Sequence, residues 1–467
     1  MKKTKIGFVP AHREPFDEDW AIEMKKRVLK SLEPLSEKGI TLVHPDEYIT
    51  KNGLVRDDED AEKAIEFFKD KDLEGIMIGA MTFGDEISAA TIAQAMPELP
   101  VLLFSTKEGP FTPEGSRKSD AFCGTLSIAS GLYRRKIPFV FLGNLFPEEE
   151  KFIKGVEDFA RTCKAVKRFL GARIGLVGPR PERFETCAIN EFPMIEQFGQ
   201  KVVQKSLVEI FNRANNIQDQ EKISQIVEEI KKVANCQRVK PETLEKSARL
   251  EIALEEFARE KRLDALAVQC WTAMQEIYGI SSCLAMGRLT QKGIMTACEV
   301  DIHGALTMLV QYMASLEETV PHFIDWTIQH QSKPNVFLAW HCGNAPLSLK
   351  APDSEICINY HSILSKAVGE ENSGGTAEFQ LKPGIVTISR IVEYDGIFKM
   401  FITTGKIIPS TDTLRGSWSW VEVEDLELVY RTLVQEGFTH HASLIHGDLK
   451  KALADFCQLT GMEAVVV

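Results

Sequence analysis

At 467 residues the chain is longer than one ordinary core organises, and two or three domains are expected. Hydrophobic residues at 44% and charged residues at 26% are the proportions of a folded globular protein and exclude a disordered chain. A net charge of −12, with basic residues only in short clusters such as Arg134-Arg135-Lys136 and Lys231-Lys232, argues against nucleic acid as a partner, because phosphate binding needs basic patches.

The run Ile6-Gly7-Phe8-Val9-Pro10 is too short for the apolar core of a signal peptide and reads as a first buried strand. Short apolar runs then alternate with amphipathic ones. Strands are expected at Ile6–Val9, Leu42–Val43, Gly75–Gly79, Val101–Phe104 and Phe139–Leu142, and helices at Asp19–Leu35, Asp60–Lys69 and Gly84–Gln94. Such alternation predicts a doubly wound α/β domain over residues 1–165. The pattern restarts with Arg173–Gly178, followed by helices near 192–212, 219–234 and 240–260 and the apolar run Ala265–Val268, so a second α/β domain is placed at 166–300. Beyond 301 strand-like runs at 335–340, 355–360, 376–380, 385–393, 397–408 and 418–423 are separated by Gly374-Gly375, Pro383-Gly384 and Asp395-Gly396. A β-rich, antiparallel, barrel-like domain over 301–467 is expected, closed by helices at 424–436 and 447–460 and a last strand from Glu463.

No run of eighteen apolar residues occurs, so no membrane span is expected. The ten cysteines form no CxxC pair, which fits reduced thiols in a cytoplasmic protein. There is no Walker A motif and no GxGxxG.

Candidate chemistry gathers late in the chain. Cys298-Glu299-Val300-Asp301-Ile302-His303-Gly304 holds two carboxylates and an imidazole within five residues. If 296–300 is a strand, Glu299 and Asp301 share a face, which suits a hard divalent cation and proton transfer. The competing reading makes Asp301 the N-cap of a helix over the following apolar run. Eight of the ten histidines lie between 303 and 446. His341 stands in Trp340-His341-Cys342-Gly343-Asn344, and His440-His441 follows Phe438-Thr439. Combined with Asp301, these imidazoles predict a mixed oxygen/nitrogen metal site suited to Mn²⁺, Co²⁺ or Mg²⁺. Trp271, Trp418 and Trp420 offer aromatic faces for a sugar ring. Trp418 and Trp420 are read as pointing to opposite sides of a strand, so that one of them lines a pocket.

Trp271-Thr272, Gly279 through Leu289, Lys292-Gly293-Ile294, the 298–304 segment, His341 through Pro346, and His440-His441 with Gly447-Asp448 together resemble the L-fucose/L-arabinose isomerase superfamily. The similarity is closer to its L-fucose isomerase-like branch. The resemblance implies an aldose–ketose isomerase working through an enediol with Mn²⁺. It places Asp301 at an acidic metal ligand, His441 at the metal histidine and His341 at a variable polar position or third ligand. It further implies a homo-trimer or homo-hexamer with sites at subunit interfaces, to which Arg13 contributes. The family's first acidic ligand falls near Ser281, Ser282 or Cys283, none of them a carboxylate; Glu299 or Asp325 would have to substitute in space. The expected site therefore comprises Asp301 and Glu299 as catalytic groups and Asp301, His441 and His341 as metal ligands. Trp271, His303, Trp418, Trp420, Asn344 and Arg13 are expected around the substrate, a free pentose, 6-deoxyhexose or 6-substituted hexose such as a sulfosugar. Another enediolate enzyme (epimerase, decarboxylase or lyase) and a non-catalytic sugar-binding protein stand as alternatives.

Overall fold

The computed structural model describes residues 3–467. Internal packing divides the chain into two compact units, one ending at Lys167 and taking in Asp455–Gly461, the other formed by Arg168–Ala454 with Met462–Val467.

In the first unit, β1 (Thr4–Ala11), β2 (Ile40–Val43), β3 (Gly75–Ala80), β4 (Val101–Thr106) and β5 (Phe139–Leu145) form a parallel sheet in the order β2-β1-β3-β4-β5. β3 and β4 are buried at every position, as strands covered on both faces by helices must be. Intervening helices start where the sequence supplies an acceptor: Asp17, Asp57 and Asp85 each cap a free N–H in the first turn that follows.

The second unit opens with β6 (Arg173–Val177), β7 (Lys201–Lys205), β8 (Ala265–Val268) and β9 (Met295–Cys298), parallel and ordered β7-β6-β8-β9. This winding repeats that of the first sheet without its last strand. The helix expected over 192–212 is two helices, Glu191–Phe198 and Leu207–Asn215, with β7 between them. Gly199, at φ +65°, ends the first in a left-handed cap, and the Ser206/Glu209 capping box starts the second. These local stops outweigh the helical periodicity of the segment.

The remaining strands are β10 (His322–Gln329), β11 (Val336–His341), β12 (Cys357–Tyr360), β13 (Gly374–Gln380), β14 (Gly384–Tyr394), β15 (Ile397–Ile408), β16 (Ser417–Val423), β17 (His441–His446) and β18 (Glu463–Val466). Six of them close a ring, β16-β11-β10-β17-β14-β15 and back to β16, with every pairing antiparallel. This is the expected barrel. β13 and β18 join its outside in parallel, making the sheet mixed. Strand β10 lay outside the expected set, because Asp325 and His322 interrupt its apolar run.

The helix Ile302–Ala314 lies between the barrel and the second parallel sheet, touching β8 and β9 on one side and β14 and β17 on the other. It is almost wholly buried, and Gln311 fixes it to the barrel. The Gln311 Nε2 donates to Ser389 Oγ at 2.8 Å and to the Ser443 carbonyl at 2.9 Å, and Ser443 Oγ donates back to Gln311 Oε1 at 2.6 Å. Among the described residues, no helix is long and apolar enough to cross a membrane.

Candidate active site

Ligands of open α/β sheets bind beyond the carboxyl ends of the strands, and here the barrel's polar strand ends meet the ends of β8 and β9. Strand β9 stops at Cys298, short of the expected limit. Glu299 and Val300 follow at φ +57° and +54°, left-handed values that side chains, β-branched ones above all, adopt only when the surroundings impose them. Glu299 and Asp301 therefore converge through a tight reversal and not by sharing a strand face. Asp301 is the N-cap of the following helix, its Oδ1 accepting from the Gly304 N–H at 2.7 Å. Gly304 is required there, since a Cβ would lie 2.4 Å from the Phe323 ring and 2.9 Å from the Asp301 carboxylate.

Asp301 Oδ2 has two further partners, Arg390 Nη1 at 2.5 Å and His441 Nδ1 at 2.8 Å, all three residues being fully buried. Burial alone would raise the Asp301 carboxyl; the Arg390 guanidinium and the His441 imidazole outweigh it and hold the group well below the usual carboxylate range. His441 is pushed down by burial but, bonded to Asp301 and close to Glu299, is held well above the usual imidazole value. With Nδ1 committed to Asp301, its Nε2 points at carboxylates. Glu299 Oε2 lies 2.7 Å away, not aligned for a hydrogen bond, and Asp325 Oδ1 lies at 3.7 Å. The Asp325–His441 juxtaposition follows from register, since the two residues pair across β10 and β17.

Glu299 Oε1 accepts from Trp271 Nε1 at 2.8 Å. Burial raises the Glu299 carboxyl, but His441, His341 and the indole N–H together bring it down to about 2. Asp325 goes the other way: burial, reinforced by the charge of Glu299 and only partly offset by His441, pushes it up to about 7. Two carboxylates driven apart in this way are suited to separate acid–base roles, one ionised and the other able to exchange a proton near neutrality.

Three groupings with metal-ligand spacing all share His441: Glu299 with His440, Asp325 with His341, and Cys187 with Asp301. In the last, Asp301 is already saturated and burial pushes the Cys187 thiol up to about 11, so it offers a hard cation little. On the other side Glu299 Oε2, Asp325 Oδ1, His341 Nδ1 and His441 Nε2 are buried and without hydrogen-bond partners. Of these, Asp325, His341 and His441 stand at metal-ligand spacing and offer an oxygen/nitrogen set that suits a divalent cation.

The structure thus brings together Glu299, Asp301, His341, His441 and Trp271. Asn344 is nearby, its Nδ2 donating to Cys298 Sγ at 3.3 Å. His303 turns its ring toward Phe398 at 6.0 Å, and burial brings it down to about 4, so it is a neutral neighbour of Arg390. Trp418 and Trp420 are not part of the group. Positions two apart share a strand face, so the expectation that they diverge is corrected: both pack with Val336, Leu338 and Trp340, on the face opposite Ser417 and its pair partner His341. Arg13 belongs to the first unit, where it pairs with Glu86 at 3.4 Å and lies over the Phe83 ring. At the positions where an acidic ligand was sought, Ser281 donates to the Ser373 carbonyl and burial pushes the Cys283 thiol above the ordinary range.

Three neighbours were not expected from sequence. Arg390 carries a signal, being a lone charge inside the apolar run Ile388–Val392. Cys187, with Sγ 3.8 Å from His441 Nδ1, and Phe184, whose ring packs on Trp271, His440 and His441, lie in a loop with no local signal.

The fold and this cluster define a two-sheet α/β protein with a β-barrel whose polar strand ends carry acid–base groups. Comparison with known proteins gives the class more closely. A family profile described as "Fucose/sulfoquinovose isomerase, N-terminal domain" matches residues 7–170, and one described as "L-fucose isomerase, C-terminal domain" matches residues 339–467. The chain belongs to the L-fucose isomerase-like family and is an aldose–ketose isomerase acting on a sugar. It is 24% identical over 469 residues to a sulfoquinovose isomerase of Priestia aryabhattai, each chain being covered completely. It is also 26% identical over 399 residues to a sulfoquinovose isomerase of Alkalicoccus urumqiensis, covering 84% of this chain and 86% of the relative.

Proposed function

We propose that this enzyme interconverts an aldose and a ketose through an enediol, at a divalent-cation site built from Asp325, His341 and His441 with Glu299 beside them. The substrate we favour is a sulfonated hexose, the class to which the relatives' names point. The observation that carries the reading is the grouping of Asp325, His341 and His441 at metal-ligand spacing, with Glu299 Oε2 2.7 Å from His441 Nε2.

A cation at this place, Mn²⁺ by preference for the oxygen/nitrogen set, would supply Lewis-acid polarisation of the sugar's oxygens, worth several kcal/mol of charge stabilisation. The protein's own groups do the rest. Asp325 takes a proton from C2 and returns one to C1, the hydroxyl proton passes from O2 to O1, and Glu299 remains a carboxylate. In this reading Asp301 serves as a positioning residue and not as a ligand: it orients His441 through Nδ1 and so presents Nε2 to the site, with Arg390 keeping the carboxylate charged. Trp271 steadies Glu299 and offers an indole edge beside it. The resemblance also supports a cytoplasmic homo-trimer or homo-hexamer.

The test is deuterium entry at C2, followed by NMR in D₂O with Mn²⁺ and a panel of free and 6-substituted aldoses. Exchange that a chelator abolishes and Mn²⁺ restores, and that Asp325→Asn removes, is expected. Turnover indifferent to chelator would sink the metal assignment.

A further inference from the structure

The segment 178–190 follows β6, the strand at which sheet order reverses in the second unit and beside which ligands of such sheets bind. It is pinned to the site at two points, by the Phe184 ring on Trp271, His440 and His441, and by Cys187 against His441. The residue immediately before Phe184 is Arg183, held at φ +61°, a left-handed conformation uncommon for residues other than glycine. Arg180 precedes it by three.

These two are the sole Lys or Arg residues in the segments 178–190, 269–282, 299–301 and 341–346 that follow β6, β8, β9 and β11. Both are exposed, and among the described residues neither is paired with a carboxylate. The other guanidinium at the site, Arg390, is consumed by Asp301. An anionic group carried by the sugar at a distance from its reacting carbons would meet no other Lys or Arg on these segments.

We infer that Arg183, with Arg180 beside it, is a specificity-determining residue that pairs with an anionic group on C6 of the sugar. A guanidinium offers two parallel N–H donors to a sulfonate, carboxylate or phosphate and gains nothing comparable from a methyl or hydroxyl. The inference rests on the isomerase reading for its substrate but not for its measurement.

Binding and turnover of 6-deoxy-6-sulfoglucose, glucose 6-phosphate and neutral 6-deoxyglucose are compared in wild type, Arg183→Gln and Arg180→Gln. Arg183→Gly, which relieves the left-handed backbone while removing the charge, controls for loop distortion. The expected result is a KM for the sulfonated sugar raised about ten- to a hundredfold in both Arg183 variants, with kcat unchanged and the neutral sugar bound and turned over as in wild type. Discrimination between sulfonate and phosphate identifies which anion the loop accepts. Equal effects on charged and neutral sugars would overturn the inference, and so would selectivity that survives at Arg183 and Arg180 but vanishes in Arg13→Gln. Calorimetric binding in the presence of chelator separates this failure from failure of the isomerase reading. Absence of turnover with every sugar rejects the isomerase reading, whereas Arg183-dependent binding preference for the anionic sugar sustains the inference.

Discussion

Two buried histidines, one in each unit, have the same plan and opposite character. His12, just past β1, is fully buried, with Nδ1 2.7 Å from Thr82 Oγ1 and Nε2 unpartnered. His441, at the start of β17, is fully buried, with Nδ1 2.8 Å from Asp301 Oδ2 and Nε2 without a hydrogen bond. Burial pushes His12 below the ordinary imidazole value, and distant acids recover only part of it. Around His441 the carboxylates overcome the same burial and drive the value up. The difference lies in the atom behind the ring: a hydroxyl leaves a neutral structural histidine, while a carboxylate locked by Arg390 makes a basic one facing two more carboxylates.

If that contrast is functional, replacing the two rings has unequal consequences. His441→Gln, Glu299→Gln and Asp325→Asn are each expected to lower kcat/KM by about a thousandfold, the scale of losing a positioned acid–base or charge-stabilising group. His12→Gln is expected to stay within about tenfold of wild type, because no carboxylate faces its Nε2. Equal losses in steady-state assays would end the comparison.

A second test moves to the partners. Asp301→Asn leaves Arg390 buried without a counter-charge, which costs about 3–5 kcal/mol of stability. It also weakens Mn²⁺ affinity about ten- to a hundredfold by freeing the His441 ring. Thr82→Val removes one neutral hydrogen bond from His12 and costs about 1 kcal/mol. Urea midpoints and calorimetric metal titration read both. A third test concerns the indoles: Trp271→Phe loses the bond to Glu299 and lowers kcat by about tenfold, whereas Trp418→Phe alters stability and leaves kcat and KM alone. A KM change confined to the Trp418 variant would restore the sugar contact expected from sequence.

Fold was more legible than site. Strand–helix alternation and the turn glycines are local signals, and the barrel could be read from β14 and β15, whose long apolar runs flank Asp395-Gly396. The cluster at 299–301 was legible for its density of acids, although the reason given, a shared strand face, fails because the strand ends at Cys298. Asp325 surfaced in sequence only as a stand-in. Its importance comes from pairing with His441, 116 positions later, and no local pattern encodes cross-strand register. Arg390 and Phe184 are hidden for the same reason: each acquires its role from a neighbour in space that lies far along the chain.

The smallest expected effect is on pH, and it probes His12 alone. Its folded-state value lies below 6.5, so between that value and 6.5 the unfolded first unit binds more protons than the folded one. Stability then rises with pH across this window and is lost as pH falls below about 6.5, by an amount on the order of 1 kcal/mol for each unit of difference between the two states. Replacing His12 by Gln removes the titrating group and should flatten that slope without touching the second unit. Amide exchange in β1 and β3, compared at pH values on either side of 6.5 after correction for the intrinsic rate, measures it directly. A slope that persists in the variant would assign the acid sensitivity elsewhere, with His44 the next candidate, since burial lowers it too. A slope of the opposite sign would mean that His12 is charged in the folded protein. The hydroxyl behind it would then not be enough to explain its difference from His441.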